Sequence, residues 1–133
     1  KSFKLLPPNF KCADLVCDFC GYLAQVKSKR IKGELPDTIT GTILGAAWGP
    51  QRERMEAGIY FSLYVVLVNE VGQASIYFLP RDLQTAEMFV PRKPLGPEAR
   101  RAGWQGFMID MDKAMADVVR ISDGDVEEFV LRA

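Results

Sequence analysis

The chain has 133 residues, the length of one domain, and its 17 basic and 17 acidic side chains leave no formal net charge. That excludes a binder held to nucleic acid by bulk positive charge, because non-specific phosphate binding needs an excess of cations. A hydrophobic share of 48% and an aromatic share of 11% exclude intrinsic disorder, and the absence of His removes Ser-His and Cys-His nucleophiles and every His-ligated metal site.

In chain order, residues 1–6 read as an extended lead-in and Pro7-Pro8-Asn9 as a loop. Ala13 to Cys17 reads as a short apolar strand, and Cys17 to Gly21 turns the chain. Tyr22 to Ser28 alternates, with Leu23, Gln25, Lys27 and Lys29 on one side and Tyr22, Ala24, Val26 and Ser28 on the other. Lys29 to Asp37 is a basic loop. Thr38 to Ala57 is a helix candidate weakened by Gly41, Gly45 and Gly49, with its firm part starting near Pro50 and Gly58 as its stop. Ile59 to Asn69, rich in Tyr, Val and Leu, reads as the central strand. Asn69 to Gln73 turns it into a strand at Ala74 to Leu79, and Pro80 opens a short helix. Pro91 to Gly106 reads as a long loop, Phe107 to Ile109 as a short strand and Asp112 to Asp117 as a helical turn. Val118 to Ile121 reads as an edge strand, Ser122 to Asp125 as a turn, and an acidic tail follows. The sum is one α/β domain over residues 1–133, with no repeat and no low-complexity tract.

No apolar run approaches the roughly 18 residues that a bilayer-spanning helix needs; the longest, Ile59 to Val68, is broken by Ser62. With no signal-peptide pattern either, the expectation is a cytoplasmic protein without a membrane partner. With Lys1 in place of an initiator Met, the expectation is a processed product or a fragment, with a segment missing upstream.

Neutrality conceals a gradient. Residues 1–36 carry seven Lys and Arg against three Asp and Glu, and residues 81–104 carry five against three. The segments 37–80 and 105–133 are acidic, with two bases against four acids and three against seven. Two basic segments on an otherwise acidic chain fit a one-sided anion-binding face; the alternative is scatter over a solvated surface.

All three cysteines, Cys12, Cys17 and Cys20, fall within nine residues. Cys17-x-x-Cys20-Gly21 has the shape of a zinc knuckle, but a structural zinc site wants four ligands and no second C-x-x-C exists here. Three readings stand: an incomplete zinc turn, a zinc site with Cys12 as a third ligand, or a redox pair. The last requires the motif to open a helix, whereas the residues after it look like a strand.

Asp14 before one strand, with Gln25-Val26-Lys27 on its neighbour, has the layout of a metal nuclease of the PD-(D/E)xK kind. Phosphodiester cleavage builds charge on non-bridging oxygens and needs an activated water. A carboxylate can hold Mg²⁺ (or Mn²⁺) beside the phosphate, a second oxygen ligand fixes the metal, and a Lys two residues on orients the water and stabilises the developing charge. The spacing alone is a weak pattern, since Gln and Lys on a strand face are common.

Residues 13–20 and 25–29, followed by Arg92-Lys93-Pro94-Leu95-Gly96-Pro97-Glu98-Ala99-Arg100-Arg101-Ala102-Gly103-Trp104-Gln105-Gly106 and Ile109-Asp110, resemble the catalytic domain of the DpnI-type, or Dam-replacing, restriction endonucleases. The block from Arg92 to Gly106 is the most specific part, and the resemblance covers most of the chain. It implies a restriction-endonuclease-like fold, a mixed central sheet flanked by helices. It also implies Mg²⁺-dependent cleavage of duplex DNA at GATC sites carrying N6-methyladenine. By the same resemblance Asp14 is the metal-binding Asp, Gln25 stands where the family has Glu or Gln, Lys27 is the catalytic Lys, and Arg100, Arg101 and Trp104 lie in a DNA-contacting loop. Cys17 and Cys20 match one C-x-x-C of a four-cysteine zinc site. The chain departs from the pattern in its neutral Gln25, in lacking the other C-x-x-C, and in lacking the family's C-terminal winged helix. The alternative functional reading is a DNA-binding module on the same fold that has lost cleavage, and a weaker one is an unrelated α/β domain with a redox C-x-x-C.

Overall fold

The computed structural model describes residues 3–7 and 13–125. Among the described residues ten strands form two sheets. Seven lie in one mixed sheet: β1 (Phe3–Leu5), β2 (Leu15–Cys17), β3 (Leu23–Arg30), β4 (Thr38–Ile39), β6 (Ser62–Val68), β7 (Gln73–Leu79) and β10 (Val118–Asp125), in the order β1-β2-β3-β6-β7-β10-β4. All neighbours are antiparallel except β3 and β6, which are parallel. The other three, β5 (Thr42–Ala47), β8 (Phe89–Pro91) and β9 (Gly106–Asp110), form a small antiparallel sheet in the order β5-β9-β8.

β6 is the middle strand of the large sheet, as its apolar run predicts. Leu63, Val65 and Leu67 are buried and alternate with half-buried Tyr64, Val66 and Val68. The buried set packs with Tyr77 and Leu79 of β7 and Val118 of β10 against Ile43, Phe89, Phe107 and Ile109 of the small sheet. The opposite face carries rings in contact, with Tyr64 and Phe78 centroids 4.9 Å apart and Phe3 6.3 Å from Tyr64. Asn69, buried at the end of β6, ties the β6–β7 turn by accepting the Val71 and Gln73 N–H groups at 3.2 and 3.0 Å.

The expectation of flanking helices is not met: among the described residues there is one α-helix, α1 (Trp48–Glu56), besides single 3-10 turns at 81–83, 86–88 and 111–113. The stretch 38–57 divides into β4, β5 and α1 because its glycines serve the strands. Gly41 takes φ +78°, and Gly45 lies where a Cβ would come within 2.4 Å of the Phe107 ring. Helix begins only at Trp48, with Pro50 in the first turn where its missing N–H leaves no gap. It ends as predicted at Gly58, φ +73°, whose N–H donates to the Met55 carbonyl at 2.9 Å while that of Ile59 donates to Arg54 at 2.8 Å. Residues 118–121 are not an edge, and 122–125 are not a turn: β10 runs through Asp125 between β7 and β4, with a register shift between Arg120 and Ser122. That irregularity breaks the alternation by which a strand is recognised. The acidic tail beyond 125 lies outside the described residues.

Replacing Gly45 by Ala is expected to destabilise the domain by about 2 kcal/mol, because Phe107, only 1% exposed, has no room to retreat from an added methyl group. Chemical denaturation of the two proteins measures it, and an unchanged midpoint would show that the sheets move apart freely.

Candidate active site and DNA-contacting hairpin

β2 and β3 pair with Leu15 opposite Ala24 and Val16 opposite Leu23. Asp14 stands one residue before the ladder, exposed, with its N–H on the Ala24 carbonyl at 2.8 Å. Its carboxylate Oδ2 accepts the Val26 N–H at 2.7 Å. The chain therefore brings the Asp14 carboxylate against the backbone of the residue between Gln25 and Lys27. Those two occupy one face of β3, because their parallel partners are Leu63 and Val65 of the buried face of β6. Gln25 is 7% exposed and Lys27 half-buried.

Lys29, two residues further on that face, donates its Nζ to the Thr42 carbonyl at 3.0 Å and so ties β3 to β5 of the small sheet. Lys27 has no hydrogen-bond or ion-pair partner among the described residues. The two lysines look equivalent in the sequence; only the packing of the second sheet separates a tether from an uncommitted ammonium. Among the described residues no group of three or more acidic or thiol side chains stands together as a metal cage.

Residues 92–105 are not an open loop. Arg92 N–H donates to Gly106 O at 2.9 Å, Leu95 N–H to Trp104 O at 2.9 Å and Gly103 N–H to Leu95 O at 2.8 Å, so the β8–β9 pairing continues outward as a hairpin. Gln105 braces its base by donating Nε2 to the Arg92 carbonyl at 2.8 Å. Arg100 and Arg101 are exposed at its far end, and Trp104 is half-buried. This cluster belongs to the small sheet, whereas Asp14, Gln25 and Lys27 belong to the large one.

The Cys17–Gly21 turn closes the β2–β3 hairpin, with Gly21 N–H on Cys17 O at 2.9 Å, Cys17 N–H on Tyr22 O at 2.8 Å, and Gly21 at φ +75°. The backbone N–H of Cys20, then that of Phe19, then the Cys20 thiol are directed at the Cys17 sulfur and hold its pKa below that of an ordinary thiol. Both cysteines are free. The motif leads into a strand and does not open a helix, so it lacks the setting of a thioredoxin-like pair. Cys12 lies outside the described residues.

The sequence matches the family model of DpnI, the Dam-replacing family, over residues 1–130. The chain belongs to that family. Dam-replacing proteins are restriction endonucleases related to methylated-DNA recognition, and this member therefore carries the family's association with DNA. Among the described residues no helix of this Dam-replacing protein is long and apolar enough to cross a membrane.

Of the four donors that a structural zinc ion, implied by the family resemblance, would need, the described residues contain two, the Cys17 and Cys20 thiols. N–H groups directed at the Cys17 sulfur favour the thiolate a zinc ion needs. In metal-free protein Cys17 is expected to alkylate with iodoacetamide at a lower pH than an ordinary cysteine, since the thiolate is the reacting form. Mass spectrometry across a pH series measures this, and protection by added zinc would mark the same sulfur as a ligand.

Proposed function

We propose that this chain is the nuclease domain of a Mg²⁺-dependent endonuclease that hydrolyses phosphodiesters in duplex DNA at N6-methyladenine-containing GATC sites, with a PD-(D/E)xK type active site and a cytoplasmic location. The observation that carries the reading is the Asp14 carboxylate resting on the Val26 N–H, flanked by Gln25 and Lys27 on one strand face.

Asp14 uses Oδ2 on Val26 and keeps Oδ1 for a ligand, and Gln25 offers an amide oxygen; both are hard donors suited to Mg²⁺. A strand residue directs its N–H and C=O to the same side, so Val26 turns its carbonyl toward Asp14 as well, a third oxygen beyond the end of the β2 ladder. When bound, Mg²⁺ would lower the pKa of a coordinated water and neutralise charge on the phosphate. The chain's own contribution is to hold these oxygens in place through the β2–β3 hairpin and to present the Lys27 ammonium, which donates to the attacking water and to the phosphoryl oxygens as charge builds. Arg100, Arg101 and Trp104 belong to the hairpin that faces the duplex, the guanidinium groups meeting phosphate or base edges.

A second reading is favoured by one observation. With Gln25 neutral, the site has one carboxylate in place of two, so a module that binds DNA without cutting it is the alternative. The test is cleavage of methylated and unmethylated plasmid by the full-length gene product with Mg²⁺ or Mn²⁺, alongside duplex binding. Metal-dependent cutting of the methylated plasmid supports the nuclease. Binding without cutting at high Mn²⁺ supports the module.

A further inference from the structure

The hairpin from Arg92 to Gln105 ends in a local device. Arg101-Ala102-Gly103-Trp104 is a tight turn closed by the Trp104 N–H on the Arg101 carbonyl at 3.0 Å, with Gly103 at φ +82° in the third position, where other residues are strained. The turn folds the Arg101 side chain back over Trp104, its guanidinium carbon 4.8 Å from the ring centroid. The benzo edge of the same ring rests on Gly106, where a Cβ would approach within 3.0 Å. Trp104 is thus wedged against the base of its own hairpin and half-buried, while Arg101 is exposed. A ring that stands free to insert between bases has neither an arginine stacked on it nor its edge against its own backbone.

We propose that Trp104 is a positioning residue: it serves as a platform that holds the Arg101 guanidinium in one orientation for a pair of coplanar acceptors on duplex DNA. The proposal rests on the DNA-endonuclease reading above. A guanidinium held over a ring still offers N–H donors away from it, and their fork suits two phosphate oxygens or the acceptor pair of a guanine. An arginine held this way gives up less conformational freedom on binding than one on a free chain. The shared chemistry is bidentate acceptance, and the two sources differ in whether they carry sequence information.

The test uses the full chain as wild type, Arg101→Ala, Trp104→Ala, the double variant and Trp104→Phe. In free protein, ring current should shift the Arg101 side-chain protons upfield in the NMR spectrum. The shift should vanish in Trp104→Ala and persist, reduced, in Trp104→Phe. On a methylated duplex Arg101→Ala should weaken binding about tenfold. Trp104→Ala should weaken it by a smaller factor, Trp104→Phe should restore most of the affinity, and the double variant should be no worse than Arg101→Ala alone. A salt slope lowered by about one in Arg101→Ala identifies a phosphate, whereas lost discrimination at one base pair with an unchanged slope identifies a base edge; both support the proposal. Independent, additive losses overturn it. So does a fluorescent base analogue that unstacks on binding wild type and Arg101→Ala but not Trp104→Ala, since that marks Trp104 as an inserting wedge. Absence of the ring-current shift in free wild-type protein also overturns it. A chain that displays the shift yet binds no duplex overturns the DNA reading and the assigned acceptor, and leaves the stack itself standing.

Discussion

Lys27→Ala is expected to lower metal-dependent cleavage of duplex DNA by about 10³-fold while changing duplex affinity by no more than a few-fold. Lys27 lies on the β3 face shared with Gln25, half-buried, and no other described residue engages it in a hydrogen bond or ion pair. An ammonium so placed gains most when negative charge develops on the transferring phosphoryl group, so its loss falls on the transition state more than on the ground state. Lys29 supplies the internal control. It is bound to the Thr42 carbonyl, and its replacement by Ala should disturb the join between the sheets more than the chemistry. Single-turnover cleavage measured with binding separates the two positions. If Lys27→Ala cuts as fast as wild type, the active-site assignment is wrong whatever the fold.

Gln25→Glu is expected to make stability depend on divalent metal. Gln25 is 7% exposed, and a carboxylate placed there without a compensating cation is costly, by about 1–3 kcal/mol for an incompletely paired polar group and more if it stays ionised. The metal-free variant should melt below wild type. Added Mg²⁺ should then raise its melting temperature more than it raises that of wild type, because a cation that binds only the folded state stabilises it by mass action. Cleavage at low Mg²⁺ should be kept or raised, since the site then holds two negative charges beside the ion. Thermal melts with and without Mg²⁺, paired with cleavage over a metal series, test both statements. A variant that melts low, ignores Mg²⁺ and cuts less than wild type would place Gln25 outside any metal site.

The sequence alone determined the features that depend on short spans of chain. Alternation over residues 22–28 and the apolar run of 59–69 identify β3 and the central β6, because strand periodicity and β-branched content act within a few residues. Gly58 marks the end of α1 and Gly21 the turn after Cys20, because positive φ is a local demand. The texture of residues 92–106 is enough to suggest the family, which the match over residues 1–130 then establishes. What only the tertiary structure decided involves partners far apart in the chain. Residues 38–47 become strands and not helix because Ile43 pairs with Ile109 and Gly45 admits the Phe107 ring, contacts made more than sixty residues away. β10 continues past its register shift because β7 supplies the ladder. Lys27 and Lys29 part in role only when β5 arrives to take one of them. The hairpin beyond β8 and β9, which reads as an unstructured loop, is ordered by rungs between residues whose pairing leaves no periodic trace in a stretch of Pro, Gly and Arg. Local propensity is written residue by residue, whereas the choice among competing pairings is made by the core that forms around them.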